Sequence, residues 1–160
     1  MPKVDVVPVA ESEKAELWAY LQDYIRELMP YEGGAVPADG SDIAYPYFDD
    51  YWRAKDRWPF WGVADGKRVA FALVRDTGER IEMAEFFSFP EHRRTGTALA
   101  FARAAMLRFP GPWELSQFAA HTASVAFWRR VIADWPFAET TYTGPTSGKE
   151  RRRQTFTVPA

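Results

Sequence analysis

The 160-residue chain contains no cysteine, which excludes disulfide bonds, thiol nucleophiles and cysteine-based metal sites. It has no uncharged apolar run near the roughly 18 residues of a membrane-spanning helix, and its N-terminus lacks the apolar stretch of a signal peptide. The net charge is −2, so the positive charge typical of nucleic-acid-binding domains is absent. There are only two histidines, in different predicted elements, which argues against a metal site. We therefore expect a cytoplasmic protein with no metal, nucleic-acid or membrane partner.

The composition that remains is that of a folded protein. Hydrophobic residues make up 47% of the chain and aromatic residues 16%, which is enough to build a sizeable core. The length and the absence of an apparent linker predict one domain over residues 1–160. Apolar residues at helical spacing predict helices over residues 13–29, 97–109 and 122–133, with Ser12 as the N-cap of the first and Pro30 as its end. Residues 30–46 are expected to form a long loop, and residues 47–56 a short helix.

Seven apolar segments bounded by turn residues predict strands: 4–9, 60–64, 68–75, 80–89, 113–119, 139–143 and 152–158. Asp65 and Gly66 are a strong signal for a hairpin between the second and third of these. Strand 80–89, helix 97–109 and strand 113–119 follow one another as a βαβ unit, which predicts that the two strands are parallel.

The junction between strand 80–89 and helix 97–109 carries the most informative pattern, Arg93-x-x-Gly96-x-Ala98. A strand–loop–helix junction directs free backbone N–H groups and the positive end of the helix dipole toward one point, which is a phosphate-binding arrangement. Gly96 permits close approach of the backbone, and Arg93 and Arg94 add positive charge. The alternative is an ordinary turn with a solvated arginine pair.

This junction resembles the acyl-coenzyme A pyrophosphate loop of the GNAT N-acetyltransferases, whose pattern is Arg/Gln-x-x-Gly-x-Gly/Ala. The segment from His121 to Trp128, with Ser124 and Phe127 between them, resembles a second GNAT stretch, Asn-x-x-Ala-x-x-Phe-Tyr/Trp. The resemblance covers residues 58–135 well and the first 57 only in element order. It implies an α/β (α+β) fold, with a mixed, mostly antiparallel sheet of six or seven strands, flanking helices and a central parallel βαβ unit.

The resemblance also implies a cosubstrate, acetyl-CoA, bound where the two parallel strands separate. By that match the diphosphate would lie on the amides of residues 94–98, the pantetheine arm would pair with the strand end, and two residues of the second motif would face the cofactor from the other side. The residues implied are Phe87, Ser88, Arg93, Arg94, Thr95, Gly96, Thr97, Ala98, His121 and Ser124.

The chain departs from the family pattern at three positions. His121 stands where the family has asparagine, and Thr97 where it has isoleucine. Trp128 occupies the position at which many members have a tyrosine that protonates the leaving thiolate. An indole N–H donates hydrogen bonds but is not a usable acid. Tyr142 is a distant substitute. Phe127 and Trp128, on the apolar face of this helix, are better explained as core residues than as ligand contacts.

Acyl transfer to an amine needs a base, and the sequence offers Glu82 and Glu85 on the strand that the family uses for this purpose. Strict alternation would place them on opposite faces, so only one would face the cleft unless a bulge intervenes. We prefer Glu85, whose apolar neighbours would raise its pKa, although a structural ion pair with Arg75 is an equal alternative. A backbone N–H near Phe87 or Ser88 is the expected oxyanion donor.

The sequence thus predicts acetyl transfer from acetyl-CoA to a primary amine of a small molecule or peptide, by direct attack in a ternary complex. One alternative is a non-catalytic CoA-binding sensor or regulatory module, and another is an interaction protein whose apolar cleft holds a peptide or lipid tail. The resemblance also makes a homodimer a possibility. The roles of two sets of charged residues remain open. Four acids, Glu27, Glu32, Asp49 and Asp50, form either an acidic entrance for the acceptor or a solvated helix face. Three arginines, Arg151, Arg152 and Arg153, form either a solvated strand edge or a contact with an anion.

Overall fold

A computed structural model describes residues 1–160, and its centre is a seven-stranded sheet. The strands are β1 (Asp5–Pro8), β2 (Arg57–Ala64), β3 (Lys67–Asp76), β4 (Ile81–Ser88), β5 (Gly111–Phe118), β6 (Phe137–Thr143) and β7 (Glu150–Val158). Their order in the sheet is β1-β2-β3-β4-β5-β7-β6. Only β4 and β5 pair in parallel, and all other neighbours are antiparallel. The predicted sheet, including its parallel βαβ unit, is confirmed.

Helices cover both faces of this sheet. They are α1 (Lys14–Glu32), α2 (Asp50–Arg53), α3 (Thr97–Leu107) and α4 (Thr122–Val131). Leu17 and Leu21 of α1 share a buried cluster with Phe71 and Leu73 of β3, whereas Phe101 of α3 belongs to a second cluster on the opposite face. The apolar stripe of each helix is thus buried against one side of the sheet. None of the helices is long and apolar enough to cross a membrane.

The ends of α1 differ from the sequence prediction. Ser12 is not its N-cap, because a 3₁₀ turn over Glu11–Glu13 precedes the helix and the Glu13 carboxylate accepts a hydrogen bond from the Ala10 backbone N–H at 2.9 Å. Pro30 does not end the helix, which continues to Gly33 in the left-handed region at φ +87°. Pro30 lies in the last turn, where its missing N–H removes a single helical hydrogen bond.

The long loop after α1 folds back along that helix and is fixed to it by buried polar contacts. The Gln22 side chain, 3% exposed, donates to the Ile43 carbonyl at 2.8 Å and accepts from the Ile43 N–H at 2.7 Å. Trp18 donates its indole N–H to Asp42 at 2.8 Å. The loop is therefore positioned by α1, and the helix that follows it is shorter than the predicted 47–56, covering Asp50–Arg53.

A β-bulge in β4 changes which side chains share a face. Leu73 of β3 is paired with Glu85, but the next residue, Val74, is paired with Met83, so that Ala84 is an extra residue in β4. Glu82 is paired with Arg75. Since directly paired residues point to the same side of a sheet, Glu82 and Glu85 both lie on the face covered by α1. The strict alternation expected from the sequence is wrong here, and the exception named with it, a bulge, is the reason.

Gly62 marks a tight contact between the sheet and α3. A Cβ atom at this position would lie 2.8 Å from Cγ of Phe101, a fully buried ring. We expect Gly62→Ala to lower the free energy of unfolding by about 1–3 kcal/mol through overpacking. Urea denaturation checks this. In a double-mutant cycle with Phe101→Leu, which makes room for the methyl group, part of the loss should be recovered; simple additivity would contradict the steric explanation.

Candidate active site

The parallel pair β4–β5 separates soon after it begins. Pairing is confined to Ile81 with Trp113 and Glu82 with Glu114. Beyond these residues β4 continues to Ser88 against β3, and β5 continues to Phe118 against β7. The facing edges of residues 83–88 and 115–118 are therefore unpaired, and their backbone polar groups are available to a ligand that enters between them.

The loop before α3 presents free amides beside this split. Arg94 and Gly96 have positive φ angles of 62° and 84°, and the N–H groups of residues 94–96, 98 and 99 have no hydrogen-bond partner in the protein. Thr97 N–H makes only a long contact, 3.4 Å, with the Thr95 hydroxyl. Thr95 also donates its hydroxyl to the His92 carbonyl at 2.7 Å, which braces the loop. An array of free N–H groups at a helix N-terminus is an anion-binding site.

The two arginines of this loop differ in what their side chains contact. Arg93 forms a bidentate ion pair with Glu27 of α1 at 3.0 and 2.7 Å, and it donates through Nε to the Ser88 carbonyl at 2.9 Å. Its side chain therefore ties the loop to α1 and β4. Arg94 is exposed and contacts no acidic group, so of the pair it is the one whose guanidinium is free to meet an anion.

The end of β4 carries one polar atom without a partner. The Ser88 hydroxyl is buried and makes no hydrogen bond. Such a group is costly to leave unsatisfied, and here it lies at the end of β4, beyond the residues that pair with β5. Phe87 behaves differently, because its ring is buried against α1 and only its backbone can face the split.

His121 and Ser124 lie at the start of α4. His121 is the N-cap of that helix: its Nδ1 accepts from the Ser124 N–H at 3.4 Å, and its ring stacks on Tyr31 at a centroid distance of 4.3 Å. Burial lowers the pKa of His121, the nearby Glu27 carboxylate raises it and Arg93 lowers it. The side chain thus anchors α4 to the end of α1, and contact with a cofactor at this position stays a prediction.

Glu85 lies on the stretch of β4 that pairs with β3 but no longer with β5, and two tyrosines hold its side chain. Tyr24 of α1 donates its hydroxyl to Oε1 and Tyr45 of the long loop donates to Oε2, both at 2.9 Å. No lysine or arginine forms a salt bridge with it. The carboxylate is therefore fixed in position by neutral groups while its charge remains uncompensated by direct contact.

This setting shifts the proton affinity of Glu85. Burial raises its pKa to about 7, against the opposing effect of the hydrogen bonds from Tyr45 and Tyr24 and of the charge of Arg151; the charge of Glu82 raises it further. The same burial raises the pKa values of Tyr24 and Tyr45, so both hydroxyls keep their protons. A carboxylate with a pKa near neutrality is suited to accept a proton at physiological pH.

Glu82 lies on the same face but is differently placed. Its Oε1 is 3.4 Å from Nη1 of Arg75. The ion pair with Arg75 that was an alternative for Glu85 is therefore made by Glu82. Burial raises the pKa of Glu82, the charge of Arg75 lowers it and the charge of Glu114 raises it. Of the two candidate bases, Glu85 is the one without a cationic partner.

The position of Trp128 offers no acid. Its ring is buried and packs edge-on against Phe86 and Phe127 at 4.9 and 5.0 Å. Tyr142, the distant substitute, lies on the edge strand β6, where its hydroxyl accepts from Arg151 Nε at 3.2 Å. The tyrosines in contact with the candidate base, Tyr24 and Tyr45, were not singled out from the sequence. From the sequence, Tyr24 is one of several apolar positions of the predicted helix 13–29, and nothing local indicates that Tyr45 reaches β4.

No family model and no curated protein matches the sequence. Solved structures do. AAC(6')-Ib in complex with paromomycin and acetyl-CoA superposes with a TM-score of 0.70 at 13% identity over 97% of this chain and 93% of that one. The chain has the GNAT fold. Spermidine N-acetyltransferase from Vibrio cholerae, with CoA and spermine, gives a TM-score of 0.68 at 11% identity, covering 96% and 95%. The ribosomal-protein-S18-alanine N-acetyltransferase from Escherichia coli gives a TM-score of 0.65 at 13% identity, over 99% of this chain and 96% of that one. These likenesses confirm the GNAT fold recognised from the two sequence motifs.

Proposed function

We propose that the chain is an acetyl-CoA-dependent N-acetyltransferase that acetylates a primary amine by direct attack in a ternary complex. The observation that carries this proposal is the split between β4 and β5: a loop of free amides lies at the end of β4, and Glu85 lies on the part of β4 that no longer pairs with β5. The solved GNAT-fold structures with acetyl-CoA or CoA support it by analogy.

The residues around the split fit acetyl-CoA. A diphosphate would be met by the free N–H groups of residues 94–96 and 98, with that of Thr97 between them, and by the charge of Arg94. The unpaired edges of β4 and β5 offer backbone partners to the amides of the pantetheine arm, and the buried Ser88 hydroxyl lacks a partner at the same place. The thioester supplies the acetyl group, activated by its thiol leaving group.

In the proposed reaction Glu85 accepts a proton from the acceptor's ammonium group, which frees the nitrogen lone pair. Tyr24 and Tyr45 hold the carboxylate in place and, as hydroxyl donors, stabilise its charged form. A backbone N–H near Phe87 or Ser88 is the proposed donor to the developing oxyanion. The amine adds to the thioester carbonyl, which forms the N–C bond and the oxyanion; the oxyanion then re-forms the carbonyl as the C–S bond breaks, and the second proton lost by the nitrogen balances the thiolate.

One observation favours a second candidate, a GNAT-fold module that binds CoA without catalysis. Trp128 is buried in the core at the position where a tyrosine would supply the general acid. A CoA thiolate is, however, a tolerable leaving group, so the missing acid does not by itself prevent turnover.

Thiol release from acetyl-CoA, measured with a panel of primary amines, tests the proposal. The panel should contain polyamines, aminoglycosides, amino acids and peptide N-termini, and calorimetry should measure CoA binding in parallel. We expect CoA binding and amine-dependent thiol release. Binding without turnover on any amine would favour the sensor module, and no binding would favour a protein whose cleft serves a peptide or lipid. The cytoplasmic location, the homodimer and the single domain over residues 1–160 stay predictions.

A further inference from the structure

We propose that the acceptor is a small primary amine that also carries a carboxylate, and that Arg151 binds this carboxylate. The inference rests on the proposed function and deepens it, because it assigns the second charge of the substrate to a residue on the same sheet face as Glu85.

The immediate surroundings of Arg151 are neutral. Its Nε donates to the Tyr142 hydroxyl at 3.2 Å, its Nη2 donates to the Ser116 hydroxyl at 3.1 Å, and its guanidinium lies over the Phe118 ring at 4.2 Å. It forms no ion pair with any carboxylate. A guanidinium has five N–H donors, so donors remain for a ligand while the side chain is already held in one orientation.

Two other acids on this face are already paired. Glu82 pairs with Arg75, and Glu114 lies 3.2 Å from Arg153 Nε. Glu85 has only hydroxyl partners, and Arg151 has only hydroxyl and ring partners. Arg57, on the same face through its pairing with Arg75, lies over the rings of Tyr47 and Tyr51 and 4.0 Å from Asp56.

These two charges lie on the same face of the sheet, because Arg151 is paired with Phe118, four positions from Glu114, and Glu114 is paired with Glu82. The charge of Arg151 lowers the pKa values of both Glu85 and Tyr24, yet no direct Arg151–Glu85 contact forms. A ligand with an ammonium at one end and a carboxylate at the other would match both charges at once. A polyamine would match the negative charge of Glu85 and be repelled by the positive charge of Arg151.

A cavity near this end of β7 has more positive than negative side chains. Its volume is ≈ 370 Å³, and Phe118, the ring under the Arg151 guanidinium, is one of its walls, although Arg151 itself does not line it. Lys149, Arg152 and one acid, Glu150, also line it. Two of the acids considered from the sequence for an acidic entrance, Glu27 and Asp49, form ion pairs with Arg93 and Lys14, and the entrance itself stays a prediction. The charged side chains of the cavity favour entry of an anionic group.

Paired acceptors that differ only in this charge test the inference. Acetylation of an amino acid should be compared with that of its amide, for the wild type and for Arg151→Gln. We expect the wild type to prefer the acid in kcat/KM by about 10- to 100-fold, as for a hydrogen-bonded charged pair. Arg151→Gln should abolish the preference by raising KM for the acid, with little change for the amide.

Two further variants separate recognition from structure. Arg151→Lys retains the charge but not the planar fork, and it should keep part of the preference. Arg130→Gln, on the exposed side of α4, removes the same charge elsewhere and should leave the preference unchanged. If Arg151→Gln lowers activity equally for acid and amide, its role is structural and the inference is overturned.

The inference and the proposed function fail separately. Turnover on amines with no preference for the carboxylate overturns the inference alone. If no amine is acetylated, the proposed function fails, and binding then decides the inference. Calorimetric titration of the amino acid and of its amide into the CoA-saturated protein should show tighter binding of the acid that is lost in Arg151→Gln; equal binding of the two ligands would overturn it.

Discussion

Replacement of Glu85 by glutamine is expected to lower kcat/KM for the amine acceptor by about 10²- to 10⁴-fold, the usual contribution of a positioned general base. Glutamine keeps the size of the side chain; its carbonyl oxygen can accept from one of the two tyrosines and its NH2 group can donate to the hydroxyl oxygen of the other, so the loss chiefly reports the proton-accepting function. Steady-state thiol release gives the measurement. Glu82→Gln is the comparison, with a smaller expected loss because Glu82 already pairs with Arg75. Full activity of Glu85→Gln would remove Glu85 as the base.

The pH profile gives a second readout of the same group. In the wild type, kcat/KM should rise with pH and level off above the Glu85 pKa of about 7, in addition to any limb from the acceptor's own amine. The pH profile of Glu85→Gln should lack the rise near pH 7 and keep the rise that comes from the acceptor's amine. The charged and titratable groups that face Glu85 come from α1, the long loop, α2, β4 and β7, and they are Tyr24, Tyr45, Tyr51, Glu82 and Arg151.

Stability provides the folding control for this variant. The pKa of Glu85 is higher in the folded protein than its ordinary 4.5, so the folded state binds the proton more tightly than the unfolded chain. This group therefore reduces the free energy of unfolding as pH rises from about 4.5 to 7, by at most about 3 kcal/mol. Glu85→Gln lacks this loss, and we expect it to be at least as stable as the wild type at pH 8. A variant that is unfolded at pH 8 would invalidate the kinetic comparison.

The second large effect is expected at the amide loop. Gly96→Asp would place a carboxylate among the free N–H groups, where a Cβ atom meets only Pro2 at 3.4 Å. A negative charge about 5 Å from a diphosphate charge costs about 3 kcal/mol at an effective dielectric constant near 20, or roughly 100-fold in the Kd for CoA. Calorimetry measures this loss.

Gly96→Asn is the matched control for that charge. Asparagine has nearly the shape of aspartate and also tolerates the left-handed backbone of this position, φ +84°. We expect it to weaken CoA binding far less than Gly96→Asp. S-acetylpantetheine, which lacks the diphosphate, should bind both variants alike. Equal losses for the two variants would mean that the loop does not contact the diphosphate.

The sequence predicts much of this fold because the relevant signals are local. Asp65 and Gly66, both at positive φ, form the predicted hairpin turn, and the pattern around Gly96 lies where β4 leads into α3. The candidate site is less predictable, since its contacts join distant parts of the chain. Tyr24 and Tyr45 are 61 and 40 residues from Glu85 along the sequence. No local pattern records that the long loop is held by Gln22 and brings Tyr45 to the sheet.

The extra residue at Ala84 makes the proposed chemistry depend on the length of β4 as well as on its side chains. A bulge increases the local twist and bends the strand that contains it. Here it falls just beyond the last residue of β4 that pairs with β5, where the two strands separate. A homologue that lacks this extra residue would have an unbroken strand in which the two glutamates, now two positions apart, still share a face. A homologue that keeps the glutamates three positions apart but has no bulge would point them to opposite sides. The spacing of the two glutamates, taken together with the bulge, is therefore as informative about activity among related sequences as substitutions at the acid itself.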